Sequence, residues 1–169
     1  MTLHLGCGRK PRMTSDMVTL DADPTLMPDV VCTLGVDPLP FVDDSVDQAI
    51  AIHVLEHIGR QGDTTGWFQF WEELYRVLKP NGTLTVESPL YSSVWAWADP
   101  SHTRALSPES FVFMNQDSYR VTPSAISPYR IRCDFEPALA YALIPDNAGG
   151  AHFRGVLRAN KPLRPWWDA

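Results

Sequence analysis

Three cysteines stand in a chain of 169 residues, an odd number at no metal-ligand spacing, which argues against both a disulfide framework and a cysteine-based zinc site. Cys7, Cys32 and Cys133 read instead as reduced, buried thiols. No run of about 18 apolar residues occurs, so nothing is expected to cross a membrane as a helix. The N-terminus has no basic region followed by an apolar stretch, which points to the cytoplasm rather than to secretion. Basic side chains are scarce: 14 Lys and Arg face 20 Asp and Glu, for a net charge of −6. A general polyanion binder gains affinity by releasing counterions from clustered Lys and Arg, so nucleic acid is disfavoured as a partner, though not excluded. The deficit is uneven, with 7 basic and 16 acidic residues over 1–117 and 7 and 4 over 118–169. The positive C-terminal portion reads as the solvated faces of two strands, with a local anionic contact as the alternative.

What is present begins with Leu3-His4-Leu5-Gly6-Cys7-Gly8-Arg9-Lys10-Pro11. An apolar run that breaks into two glycines one residue apart predicts a buried parallel strand ending in a tight loop. Gly6 and Gly8 allow positive φ and leave no side chain in the way of a nucleoside-bearing cofactor. The third glycine of a dinucleotide fingerprint, expected near Pro11, is absent. Met17-Val18-Thr19-Leu20 then predicts a second parallel strand whose end presents Asp21. An acid at that place accepts hydrogen bonds from ribose hydroxyls, while the alternative has Asp21 or Asp23 capping the next turn.

Val30-Val31-Cys32-Thr33-Leu34 reads as a third strand, Pro38-Leu39-Pro40-Phe41 as a rigid connector and Asp43-Asp44-Ser45 as a turn. Residues 46–53 have the density of a central strand, ending in His53-Val54-Leu55-Glu56-His57-Ile58. That hexapeptide contains the H-x-x-E-H letters of inverted zinc peptidases, which need both histidines on one helical face. Here His53 follows directly on a strand and Gly59, Gly62 and Gly66 come soon after, so the zinc reading is remote and no metal is expected. Residues 65–78 are helical, with Trp67, Phe70, Trp71, Leu74, Val77 and Leu78 at three- and four-residue spacing as a core stripe. The helix stops at Lys79-Pro80-Asn81-Gly82, and 83–88 is a fifth strand.

From Pro89 the chain turns irregular and aromatic, with Tyr91, Trp95 and Trp97 ahead of Asp99-Pro100-Ser101-His102-Thr103-Arg104. Long loops at the carboxyl edge of a parallel sheet gather substrate contacts. Arg104 either orients an anionic acceptor or pairs with Asp99 or Glu109. Ser107-Pro108-Glu109 is a helix start. Residues 131–144 and 153–159 read as an antiparallel hairpin added to the sheet edge, and 162–169 as a tail, mobile or laid on the surface.

Taken together, Leu3–Gly8, Leu20-Asp21-Ala22-Asp23-Pro24, the segments 39–47 and 53–58, and Glu73-Leu74-Tyr75-Arg76-Val77-Leu78-Lys79-Pro80-Asn81-Gly82 resemble the class I S-adenosylmethionine-dependent methyltransferases, particularly the small type-11-like members. Five blocks in family order cover about two thirds of the chain. The resemblance implies an α/β fold: a Rossmann-like doubly wound seven-stranded sheet, mostly parallel with an antiparallel C-terminal hairpin strand, in a single domain over 1–161. It implies S-adenosylmethionine as cofactor, with Leu5, Gly6, Cys7 and Gly8 along its methionine and ribose portion, Asp21 and Ala22 at the ribose, Thr33 and Leu34 at the adenine, and His53 near the sulfonium. Thr33 departs from the family, replacing an acid. The N-terminal helices common in the family are missing, so the pocket's cover is expected from the aromatic loop 90–106, from a second subunit in a homodimer, or from a macromolecular acceptor.

The acceptor remains a small molecule, a sugar or a nucleic acid component. If it carries a hydroxyl, a base helps, with His102 the first choice and His53 or His57 next. A non-catalytic cofactor-binding or partner subunit is the competing class. The compact length suits a phage-encoded or small bacterial enzyme.

Overall fold

The apolar runs at either end of the first glycine loop pair as parallel strands because each must bury two faces. A computed structural model describes residues 1–9, 14–121, 127–137 and 141–168. Strands β1 (Thr2–Leu5), β2 (Met17–Asp21), β3 (Val30–Val31), β4 (Val46–Ile52) and β5 (Leu78–Pro89) run parallel in the order β3-β2-β1-β4-β5. Strand β8 (Ala151–Ala159) joins β5 antiparallel along seven residue pairs, from Thr83–Arg158 to Pro89–His152. Because β5 occupies one edge of β8, both β6 (Phe135–Pro137) and β7 (Ala142–Pro145) pair with its other edge, at successive stretches. The sheet therefore has seven strand positions, the outermost shared by two short strands. This is the expected mostly parallel, doubly wound α/β sheet with a reversed C-terminal strand.

Three expectations need correcting. The third strand was expected over five residues, but only Val30 and Val31 pair. Asp37 Oδ2 accepts from the Thr33 N–H at 2.8 Å and Gly35 takes φ 77°, so Thr33 and Leu34 turn away from the sheet. The helix stops at Val77, close to where it was expected to, but 79–82 is a bulge inside β5 rather than a turn before it: Leu78 pairs with Val46 and Thr83 with Gln48, so the four residues between them face a single residue, Asp47. Asn81 provides the left-handed step at φ 64°, and Lys79 pairs with Asp47 at 2.7 Å. Of the strand expected over 131–144, Phe135–Pro137 forms β6 and Ala142 onward forms β7, residues 131–134 lie outside any strand, and 138–140 are not among the described residues. Buried Asp134 ends β6 on the N-terminal side by accepting from the Gln116 N–H and Asn160 Nδ2, both at 2.9 Å.

Helix α1 (Thr65–Val77) supplies the core. Trp71 is fully buried and makes edge-on contacts to Trp67, Phe70, Phe111 and Phe135 with ring centroids 5.2–5.6 Å apart. The aromatic stripe is thus packing, as its spacing predicts. The segment from Ser107 forms a 3₁₀ turn over Pro108–Met114, followed by helix α3 (Gln116–Val121); the four-residue helix α2 (Trp95–Ala98) precedes both. Trp166 of the tail stacks on Tyr119 and its N–H donates to Gln116 Oε1 at 3.0 Å, so the tail lies on the surface. Arg154 and Arg158 on β8 pair with Glu87 and Glu136, which accounts for much of the positive C-terminal charge locally.

Truncating Trp71 to Ala removes the hub of five rings and is expected to cost about 3–5 kcal/mol in urea unfolding. A loss below about 1 kcal/mol would mean that the rings close around the void.

Candidate active site

Strand β1 ends at Leu5, and the chain turns through Gly6 at φ 55° and Gly8 at φ 56°. A Cβ on Gly6 would stand 1.7 Å from Val54 Cγ2, so the loop touches the turn after β4 and only glycine fits. A Cβ on Gly8 would meet nothing within 4 Å. The loop is fixed to β2 by the Cys7 N–H donating to the Leu20 carbonyl at 2.9 Å and by the Gly8 N–H donating to Asp21 Oδ2 at 2.8 Å. The two acids both meet the turn that follows β2, Asp21 Oδ1 accepting from the Asp23 N–H at 3.0 Å. Asp23 caps the following 3₁₀ turn through the Thr25 N–H at 2.8 Å, whereas Asp21 borders the cavity.

That cavity has a volume of about 360 Å³ and lies at the carboxyl ends of β1, β2 and β4. Of the residues expected there, Gly6, Gly8, Asp21, Ala22, Thr33, Leu34, His53 and His57 line it. Leu5 is fully buried in the core, and Cys7 borders a separate cleft with Thr19 and Asp29. Cys32, Val54 and Ile58 also line the cavity and were missed. Apolar wall residues carry no chemical signature; the one available signal was that Val54 and Ile58 belong to the same hexapeptide as His53. The left-handed glycines, the open space at Gly8, an acid at the end of β2 and an apolar wall of Leu34, Val54 and Ile58 suit a nucleoside cofactor with a ribose diol.

On the side of the cavity toward β5 lies a cluster of imidazoles and carboxylates. His53 adopts φ 56°, an uncommon left-handed conformation for a side-chain-bearing residue, and its N–H donates to the Glu87 carbonyl at 2.9 Å. Its ring lies 3.5 Å from Glu56 Oε1 through Nδ1 and 3.5 Å from Glu87 Oε1 through Nε2, with His152 edge-on at 4.7 Å. Burial pushes the Glu56 carboxyl up, but His53, the Glu56 backbone N–H and the Ser88 hydroxyl outweigh it and hold the group below its ordinary value. Glu56 and His57 sit in a 3₁₀ turn over Leu55–His57 while His53 follows the strand, so no helix presents both histidines on one face, as the peptidase site would require.

His102 is placed elsewhere. Its side chain is 8% exposed and does not border the cavity; it packs edge-on against His57 at 4.7 Å. The loop carrying it docks on the turn after β4 through the Thr103 and Arg104 N–H groups, which donate to the Glu56 carbonyl at 2.9 and 3.1 Å. Arg104 pairs with neither Asp99 nor Glu109. Its guanidinium lies 4.4 Å over Trp67 and donates to the carbonyls of Ile58, Arg60 and Asp63. Trp95 and Trp97 do not line the cavity either; their indole N–H groups donate to Asn147 and to the Tyr91 carbonyl.

The reversed last strand, the glycine loop and the acid at the end of β2 define a doubly wound enzyme for a nucleoside cofactor. Residues 3–86 match the family described as methyltransferase domain, and the chain belongs to it. It is a class I S-adenosylmethionine-dependent methyltransferase, in agreement with the resemblance of its motifs. Similar solved structures carry the same fold. A methyltransferase from Methanosarcina mazei is 15% identical with a TM-score of 0.62, over 94% of this chain and 92% of that one. One from Archaeoglobus fulgidus is 16% identical with a TM-score of 0.59, over 93% and 85%. The 1,6-didemethyltoxoflavin-N1-methyltransferase of Burkholderia thailandensis, with 1,6-didemethyltoxoflavin and S-adenosylhomocysteine bound, is 14% identical with a TM-score of 0.58, over 95% and 71%. No curated protein matches the sequence.

The two glycines separate strain from collision. Gly8→Ala is expected to cost about 1 kcal/mol for its left-handed backbone alone, and Gly6→Ala about 2–4 kcal/mol because Val54 must also move. Equal losses in urea unfolding would contradict the close approach of loop and turn.

Proposed function

We propose that the chain transfers a methyl group from S-adenosylmethionine to a hydroxyl or amine of a small molecule, and that His53 takes the acceptor's proton. The observation that carries this reading is the position of His53: it lines the cavity, about a third exposed, between two carboxylates. When bound, S-adenosylmethionine supplies an electrophilic methyl on a sulfonium, so the protein's work is alignment and proton control. Asp21 is suited to hold the ribose hydroxyls, and Gly6 and Gly8 leave backbone rather than side chain against the cofactor. Glu56 and Glu87 orient the His53 ring and stabilise it once protonated. His102, buried behind His57, supports this arrangement from a distance and does not meet the acceptor. A net charge of −6 favours a small acceptor over nucleic acid.

In calorimetry, Asp21→Ala is expected to weaken S-adenosylmethionine binding about 10- to 100-fold, the loss of charge-assisted hydrogen bonds. With methyl-tritiated donor and a bacterial extract, label is expected in the small-molecule fraction, and His53→Ala should slow its transfer by about 10²–10⁴ while donor affinity stays unchanged. Label confined to acid-precipitable material would overturn the acceptor class, and unchanged turnover in His53→Ala would remove the base.

A further inference from the structure

The His53-x-x-Glu56-His57 motif does not form a helical zinc site, but its second half meets a third ligand-bearing residue from a distant loop. Glu56 is 2% exposed. One of its oxygens, Oε2, accepts from Ser88 Oγ at 3.1 Å, while Oε1 is buried and receives no hydrogen bond. Around Oε1 stand His53 Nδ1 at 3.5 Å and His102 Nε2 at 3.9 Å. The Nδ1 atom of His102 is buried and unpartnered as well. A buried anionic oxygen with no hydrogen bond, flanked by two imidazole nitrogens at 3.5 and 3.9 Å, is a costly arrangement for a fold to keep unless a cation completes it.

Two further features match a metal centre. His57 Nδ1 lies 3.1 Å from the Ser101 carbonyl, so it carries the proton and leaves Nε2 as a free lone pair, the orientation that metal-ligating histidines take. One ligand atom from each of Glu56, His57 and His102 falls within 4.8 Å of the others. Asp99 stands outside this trio: its Oδ1 is taken by the Ser101 N–H and hydroxyl, and its Oδ2 lies 3.9 Å from His102 Nε2. The neighbouring trio of His53, Glu87 and His152 has comparable spacing, but Glu87 Oε2 already accepts from Arg154 Nε at 2.7 Å.

We propose that Glu56, His57 and His102 bind one late first-row divalent cation. Two imidazoles with one carboxylate oxygen suit zinc, leaving a coordination position open to solvent. The ion cross-links the turn after β4 to the loop at 99–104. Zinc bonds are shorter than the present spacing requires, so loading draws the loop onto the turn and raises the thermal midpoint. Since His57 also lines the cofactor cavity, the ion stands in its wall.

The test uses untagged, chelator-treated full-length chain titrated with Co²⁺ and read by its visible d–d absorbance, with Zn²⁺ as competitor. One equivalent of Co²⁺ is expected to bind and to be displaced by Zn²⁺. Affinity should fall at least about tenfold in His57→Ala, His102→Ala and Glu56→Gln and stay unchanged in His152→Ala. Glu56→Gln has nearly the same shape and carries the test if an alanine variant loses its circular dichroism. Absence of stoichiometric binding at micromolar metal, or full affinity in Glu56→Gln, would overturn the site. Loss in His152→Ala alone would place the ion on the other trio and overturn it equally. The readout is metal binding, so either result leaves the methyl-transfer reading to its own test.

Discussion

The close approach of Gly6 to Val54 is the constraint on which the site depends. With 1.7 Å between a hypothetical Cβ and Val54 Cγ2, the loop after β1 and the turn after β4 form two walls of one cavity. Adjacent parallel strands bring their carboxyl ends together, and a doubly wound sheet places its ligand crevice there. The glycine removes bulk on one side, and Val54 supplies an apolar surface on the other. Asp21 then closes the third side while holding the Gly8 N–H at 2.8 Å. On the proposed placement of the cofactor, one carboxylate serves both ribose and loop, and a ribose diol must compete with or join an existing hydrogen bond.

The polar half of the site follows from the same turn. Because the chain leaves β4 through a left-handed His53, the next residues wind into a short 3₁₀ turn and drive Glu56 inward beneath the imidazoles. A buried carboxylate in that position is held ionised by its neighbours, and it connects the cavity-facing His53 to the loop-borne His102. Arg104, which the sequence allowed as an anion receptor, is occupied by three backbone carbonyls and the face of Trp67. Its part is to hold the loop on which His102 sits.

Much of this was legible in the sequence because it rests on local chemistry. The glycine loop, Asp21 at the end of β2, the core stripe of α1 and the hairpin around 145–150 each announce themselves by spacing or by turn residues. The places that escaped depend on distant partners. The third strand is cut short by Asp37 reaching back to Thr33. The turn at 79–82 is absorbed into β5 because Leu78 and Thr83 both find partners on β4. Val54 and Ile58 are ordinary apolar residues until the fold sets them opposite Gly6 and Leu34. The placing of His102 behind His57 follows from the N–H and hydroxyl of Thr103, which both donate to the Glu56 carbonyl across 47 residues, a relation that no local pattern records.

The central claim is that S-adenosylmethionine occupies the cavity between the glycine loop and the turn after β4. Titrating S-adenosylhomocysteine into ¹⁵N-labelled protein tests it most directly. The account predicts saturable amide shifts concentrated at Gly6, Gly8, Ala22, Leu34 and Val54, with little change along β7 and α3. Saturation with the shifts gathered around a second cavity, of about 230 Å³ and lined by Trp67, Phe68, Arg104 and Tyr129, or no shift at millimolar ligand, would contradict it.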